Sequence, residues 1–317
     1  MMHQLSALIR EGDFRALARG ISFVENQVPG YLDLLLELNP EQAQPLIGIT
    51  GPPGAGKSTI TDALISHLVA GGKRVGIICI DPSSPFRHGA LLGDRIRMRE
   101  WYSHPSVFIR SLSSRGTMGG LNPAIIAITD LMKQFPFDII FVETVGVGQT
   151  EVEIAGLADI TVVVLVPESG DDVQNMKAGL MEAGDIFVVN KADRPGADQF
   201  FNNLRLALKP AEANGTEIPV IKTTATERAG TADLLATVLQ LKDHPVQQVK
   251  KQWLMVEKAY LLIQERRMRG VDREILYREI EKQMKSKGFN LYRFAEQFDE
   301  NPDSRNKDFL PKQNAKN

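Results

Sequence analysis

The sequence predicts an α/β fold in which a mostly parallel sheet is flanked by helices, with helical extensions at both ends. Three observations predict it. Apolar runs rich in Ile, Val and Phe alternate with helical patterns between residues 46 and 242. A glycine-rich turn, Gly51-Pro52-Pro53-Gly54-Ala55-Gly56-Lys57-Ser58, joins the first apolar run to the first helical pattern. The regions on either side, up to Leu38 and beyond Pro245, carry helical spacing alone.

The elements follow in order. Leu5, Leu8, Ile9, Phe14, Leu17, Ile21 and Val24 recur at helix-like spacing, interrupted at Gly12, and Pro29-Gly30 separates them from a short helix over Tyr31 to Leu38. Strands are predicted at 46–50, 74–80, 107–112, 138–143, 160–166, 185–190 and 218–223. Several are apolar throughout, the mark of a parallel sheet buried on both faces. Helices are predicted at 58–70, 122–134, 172–183, 197–209 and 230–242. After Pro245, Trp253, Val256, Tyr260 and Ile263 fall on one helical stripe, and Tyr277, Ile280 and Met284 on another. The first stripe reads as core or as a dimer seam. The chain therefore divides into an N-terminal helical extension (1–44), a central α/β domain (45–245), a C-terminal helical segment (246–299) and a sparse, disordered tail (300–317).

The glycine-rich turn matches GxxxxGK[ST], and its strand–turn–helix setting makes it a P-loop rather than a chance match. Glycines let successive N–H groups of the loop face phosphate oxygens, and the helix N-terminus adds partial positive charge. Gly51, Pro53, Gly54, Ala55, Gly56 and Thr59 form the cradle. Lys57 reaches the β- and γ-phosphates and Ser58 offers its hydroxyl to Mg²⁺.

Asn190-Lys191-Ala192-Asp193 follows the strand 185–190 and suits guanine recognition. The Asp193 carboxylate can accept from guanine N1–H and the 2-amino group, and adenine offers neither donor. Asn190 and the Lys191 stem fix the loop and cover the base. Thr224 and Ala225, after the last strand, form the candidate loop whose backbone meets the guanine oxygen. Glu143 ends the strand 138–143, where a carboxylate can hold Mg²⁺ through water, and the Gly146 N–H can touch the γ-phosphate. GTPases commonly carry Asp at the Glu143 position. Gln149 either orients the attacking water or is a polar loop residue. Asp81 and Asp94 either serve the metal region, where ligands collect at the carboxyl ends of parallel strands, or act as N-caps.

Composition narrows the class. A 43% hydrophobic chain supports a sizeable core, and a net charge of −2 leaves no overall basic footprint for nucleic acid. Cys79, the single cysteine, cannot form an intramolecular disulfide and suits a reducing compartment. No apolar run reaches membrane-spanning length and no secretory signal is visible, so the expected setting is cytoplasmic, without membrane or nucleic-acid partners. The five histidines show no metal-ligand spacing.

GPPGAGKST (51–59), IDPSSP (80–85), LLGDRIRM (91–98), FVETVGVGQTEVEIAGLAD (141–159), GDDVQNMKAGLMEAGD (170–185) and NKAD (190–193), in this order, resemble the MeaB/ArgK group of P-loop GTPases. These are chaperones of adenosylcobalamin-dependent methylmalonyl-CoA mutase. The resemblance implies hydrolysis of GTP to GDP and phosphate, with Mg²⁺ as cofactor. Asp81, Asp94 and Glu143 would form the acidic network around metal and hydrolytic water. The loop from Glu168 to Lys177 would be the switch that reports nucleotide state to the mutase, with Asp171, Gln174 and Lys177 as signalling residues. The C-terminal helices would make a homodimer, and a cobalamin adenosyltransferase is a further candidate partner.

Two departures lie near that switch: Pro167-Glu168-Ser169 at its start and Ala183-Gly184 before Asp185. Rival functions are a nickel or cobalt metallochaperone, which predicts a Cys/His cluster that the sequence lacks, and a transport-linked ATPase or kinase, against which NKAD argues. A GTP-binding scaffold without hydrolysis is the non-enzymatic alternative.

Overall fold

The computed structural model describes residues 2–39, 44–81, 83–84, 87–90, 98–113, 123–144, 154–169, 181, 184–209, 217–242, 245–268, 271, 273–285 and 288–300. The contacts divide the chain into a unit from Met1 to Lys258 and a second from Ala259 onward.

The first unit is built on seven strands: β1 (Leu46–Thr50), β2 (Val75–Asp81), β5 (Val107–Ser113), β6 (Ile139–Thr144), β7 (Ile160–Leu165), β8 (Ile186–Asn190) and β9 (Val220–Thr223). Their order is β5-β2-β6-β1-β7-β8-β9, and every pairing is parallel. The short strands β3 (Ser83–Ser84) and β4 (Arg87–Ala90) form a separate antiparallel pair that the sequence pattern did not predict. Every residue of β1, β6, β7 and β8 is buried, which is why these segments read as continuous apolar runs. The strand predicted at 218–223 begins at Val220 and lies at the sheet edge, with Val220 and Ile221 half-buried, Lys222 exposed and Thr223 buried.

Helix α4 (Lys57–Ala70) follows β1 and buries Ile60, Ala63, Leu64, Ile65 and Leu68. Ile60, Leu64, Ile65 and Leu68 share one core cluster with Ile47 and Ile49 of β1 and Ile77 of β2. β1 lies between β6 and β7, the two strands it pairs with. The strand order reverses at β1, and in open α/β sheets ligands bind outside the carboxyl ends of the strands at such a point.

The N-terminal extension forms α1 (Met2–Arg10), α2 (Phe14–Glu25) and α3 (Tyr31–Leu36). The Asp13 side chain caps α2, accepting from the Arg15 and Ala16 amides at 2.7 and 3.0 Å. Helix α2 buries Ala16, Leu17, Gly20, Ile21 and Val24. Specific contacts fix the extension to the sheet. Arg110 of edge strand β5 pairs with Glu25 at 2.7 Å, and the Arg74 guanidinium lies 5.6 Å from the Phe14 ring centroid. The Gln134 amide closes on both backbone groups of Asn39, at 2.9 Å each.

Helices α5 (Pro123–Met132), α6 (Ala197–Leu208) and α7 (Thr231–Leu241) occupy the predicted spans, shortened at their ends. Met181 apart, the helix predicted at 172–183 lies outside the described residues up to Gly184. Beyond Pro245 the described elements are helices: α8 (Pro245–Met268), α9 (Arg273–Met284) and α10 (Leu291–Glu300). The stripe read as core or seam is exposed: Trp253 67%, Val256 55%, Tyr260 64% and Ile263 55%. Among the described residues it is not core. The tail from 301 lies outside the described residues.

Candidate nucleotide site

β1 delivers the chain to Gly51, whose φ of +137° and surroundings admit only glycine. A Cβ there would sit 2.0 Å from the Val164 carbonyl oxygen on β7. Gly56 is equally constrained, with φ +91° and the Asn190 amide nitrogen 2.3 Å from where a Cβ would be. These turns bring the loop across the N-terminus of α4. The Lys57 ammonium, only 6% exposed, donates to the Gly51 and Pro52 carbonyls at 2.8 and 3.0 Å. Lone-pair donors thus meet a charge that would be costly to bury bare.

Glu143, the penultimate residue of β6, stands opposite Ile49 of β1 and Cys79 of β2. It is buried, and α4 holds both of its carboxylate oxygens. The Ser58 hydroxyl donates to Oε1 at 2.5 Å, and the Thr61 hydroxyl lies 3.1 Å from Oε2. One residue on, the buried Thr144 hydroxyl donates to that of Thr50 at 3.1 Å, joining the ends of β6 and β1.

The far end of the site is built round Asn190, the last residue of β8. Its Nδ2 donates to the Ala55 carbonyl at 2.8 Å, while its Oδ1 accepts from the Thr223 hydroxyl at 3.0 Å and the Ala225 amide at 3.2 Å. One buried side chain therefore ties the phosphate loop to both loops at the other end. Lys191 then takes a left-handed conformation, φ +56°, uncommon outside glycine. The Ala192 amide donates to the Thr223 carbonyl and the Arg194 amide to that of Lys191, both at 3.0 Å. Between them Asp193 is exposed. Thr224 bridges to Ala229, and its amide donates to the Ala229 carbonyl at 3.1 Å.

Comparison with known proteins carries the same signature. The family model for methylmalonyl-CoA mutase-associated GTPase MeaB matches residues 17–274. The chain belongs to the MeaB family of P-loop GTPases. A candidate GTPase of Pyrococcus abyssi is 48% identical over 239 residues, 74% of each chain. The mitochondrial methylmalonic aciduria type A homolog of Caenorhabditis elegans is 34% identical over 208 residues, 61% of this chain and 52% of the other. The crystal structure of the LAO/AO transport system kinase aligns with a TM-score of 0.66 at 24% identity, covering 94% of this chain and 96% of that one. This last likeness shows the fold.

Of the MeaB-type site residues expected from sequence, Lys57, Ser58, Glu143, Asn190, Lys191, Asp193 and Ala225 lie along the carboxyl edge of β1, β6, β8 and β9 or the loops leaving it. Asp81 is the last residue of β2, in register with Ser113. Asp81 is strand, and no helix begins at Ser83-Ser84, so it is not an N-cap. Asp94, Gly146, Gln149, Asp171, Gln174 and Lys177 lie outside the described residues. Beyond Asp94 the described residues form one 3₁₀ turn, Arg99–Trp101, and the Trp101 indole donates to Asp62 on α4 at 2.7 Å.

Sequence reasoning missed three features. Thr61 stands one turn beyond Lys57 and Ser58 on α4, so its i+3 spacing from Ser58 was the available signal. The Thr50–Thr144 pair needed knowledge of strand register. Arg194, just past the NKAD segment, ion-pairs with Glu168, and its hydrogen bond holds the Glu168 carboxyl below the usual range. That pair joins the base loop to the first residues of the loop expected to switch.

Proposed function

We propose that this protein hydrolyses GTP to GDP and phosphate and acts as a nucleotide-switched chaperone of an adenosylcobalamin-dependent acyl-CoA mutase of the methylmalonyl-CoA mutase type, gating cofactor loading and protecting the mutase. The observation that carries the nucleotide reading is the Asn190 side chain, bonded at once to the P-loop and to the loops at the opposite end. Such a link sets the distance between a phosphate cradle and a base-reading carboxylate. The mutase reading rests on the family's description and on the similar methylmalonic aciduria homolog.

The donor set fits Mg²⁺. A hydroxyl and a carboxylate, both hard oxygen donors, converge within 2.5 Å at Ser58 and Glu143. Mg²⁺ is commonly held by one or two carboxylates together with phosphates and water. When bound, it supplies positive charge to the β- and γ-oxygens. Lys57 exchanges the Gly51 and Pro52 carbonyls for phosphate oxygens. The amides from Gly54 to Thr59 cradle those oxygens without reorganising. Glu143 orients water beside Ser58, with Asp81 and Asp94 completing the acidic network. Gly146 would touch the γ-phosphate, and Gln149 would either orient the hydrolytic water or be a polar loop residue. Asp193 accepts from guanine, Lys191 lines the base, and the Thr224–Ala225 loop faces its oxygen.

Loss of the γ-phosphate releases the loop containing Asp171, Gln174 and Lys177, which transmits the state to the mutase. The exposed stripe at Trp253, Val256, Tyr260 and Ile263 supports homodimerisation through the 246–299 segment. A cobalamin adenosyltransferase is a further candidate partner, and the proposed setting is cytoplasmic.

The test is turnover of GTP with and without a cobalamin-dependent mutase, alongside retention of that mutase by protein held in the GTP or GDP state. Slow turnover alone, acceleration by mutase and state-dependent retention are expected. Fast isolated turnover with no retention in either state overturns the chaperone reading.

A further inference from the structure

We infer that Thr61 is a positioning residue for the metal region, clamping the second oxygen of Glu143. The inference rests on the reading of Glu143 as the carboxylate of that region. Ser58 and Thr61 are three residues apart on α4 and share a helix face. Their hydroxyls address the two oxygens of one buried carboxylate, Ser58 at Oε1 (2.5 Å) and Thr61 at Oε2 (3.1 Å).

Glutamate makes such a clamp necessary. It is one methylene longer than the aspartate common at this position. It carries one more torsion, and the last of them, about the bond to the carboxylate, is broad. Each hydrogen bond restrains that rotation, and the one at Oε2 adds to the one at Oε1. The clamp also outlasts a change of partner at Ser58. When the Ser58 oxygen turns to a cation, the Thr61 bond keeps the carboxylate aimed at the same place.

The competing account is an ordinary back-bond. The Thr61 hydroxyl also lies 3.0 Å from the Lys57 carbonyl, and a helical threonine often donates to the carbonyl four residues back. One hydrogen cannot serve both acceptors fully. When ionised, the carboxylate is the stronger acceptor, because bonds to an ionised oxygen are about twice as strong as neutral ones. Thr61 is also fully buried, so no water competes for that hydrogen.

The test uses the full chain and a fluorescent GDP, with nucleotide release followed from EDTA through rising Mg²⁺. In Thr61→Val the hydroxyl becomes a methyl of similar shape. The Mg²⁺ concentration that half-maximally slows release should rise about tenfold, the scale of one bond to a charged group. The release rate in EDTA should stay within about twofold of the parent. Thr61→Ser, which keeps the hydroxyl, should restore the parent midpoint, and urea unfolding should verify that each variant is folded. An unchanged midpoint in Thr61→Val overturns the inference. So does an EDTA rate altered as much as the Mg²⁺ midpoint, since that reports general loosening of α4. If release from the parent protein is indifferent to Mg²⁺, the metal reading of Ser58 and Glu143 fails, and this inference with it.

Discussion

The two ends of the site are built on opposite plans. At the phosphate end the polar groups are buried and bonded to one another: Lys57 to loop carbonyls, Ser58 to Glu143, with Thr61 beside its other oxygen. At the base end only the scaffold is buried. Asn190 is 3% exposed and Thr223 1%, while Asp193, which would do the reading, is exposed. The difference teaches a division of labour. Phosphate is the same in every nucleotide, so its cradle can be rigid and preformed. A base must be distinguished from its rivals, so a group that reads it would stand exposed on a turn whose position is fixed by others. Asn190 belongs to both plans, since it is the only described side chain shown bonding the P-loop to the base loops.

The comparison can be broken most severely at the phosphate end. Lys57→Ala removes the charge that faces phosphate and should lower GTP affinity by about a hundredfold or more, as loss of a charged partner does. The ratio of GTP to ATP affinity should not move, because no base contact is touched. Titration with fluorescent GTP and ATP analogues measures both.

Asn190→Ala should blur the two ends together. It strips partners from the Ala55 carbonyl, the Thr223 hydroxyl and the Ala225 amide, all buried. The expected loss is about 2–3 kcal/mol of stability. Affinity for GTP should fall along with selectivity over ATP, and urea unfolding beside competitive binding would show it. Stability lost with selectivity intact would mean that the link is scaffold alone.

The smallest effect belongs to Arg194→Ala. The hydrogen bond from Arg194 depresses the Glu168 pKa, so the pair stabilises the fold at pH above the ordinary glutamate range. That contribution is lost as pH falls through the depressed value. Both partners are about half exposed, so solvent screening keeps the term at about 0.5 kcal/mol or less. Melting temperatures of parent and variant should differ slightly at neutral pH and coincide in strong acid.

Much of this was legible in the sequence, for physical reasons. The seven sheet strands lie within two residues of their expected bounds, because a strand buried on both faces must be apolar along its whole length. The pair of Ser83–Ser84 with Arg87–Ala90 carries no apolar run in the sequence, so no such signal announced it. Helical periodicity put Trp253, Val256, Tyr260 and Ile263 on one stripe, yet periodicity states which residues share a face and not what covers it; the stripe is exposed. In the site, Lys57, Ser58 and the NKAD residues were readable because a fixed local spacing carries their chemistry. Thr61 was not, since its meaning depends on Glu143, 82 residues away in sequence and brought near by strand register. The Glu168–Arg194 pair was hidden for the same reason.

The most direct test of the central claim, that an exposed carboxylate on an Asn190-anchored turn selects guanine, is the Asp193→Asn variant assayed with guanosine and xanthosine triphosphates. Xanthine carries a carbonyl where guanine has its 2-amino group, so an amide at this position matches it. A shift of preference toward xanthosine triphosphate by about a hundredfold or more is the predicted result, the range over which paired hydrogen bonds discriminate. Equal weakening toward both nucleotides, with the original preference kept, would contradict the account.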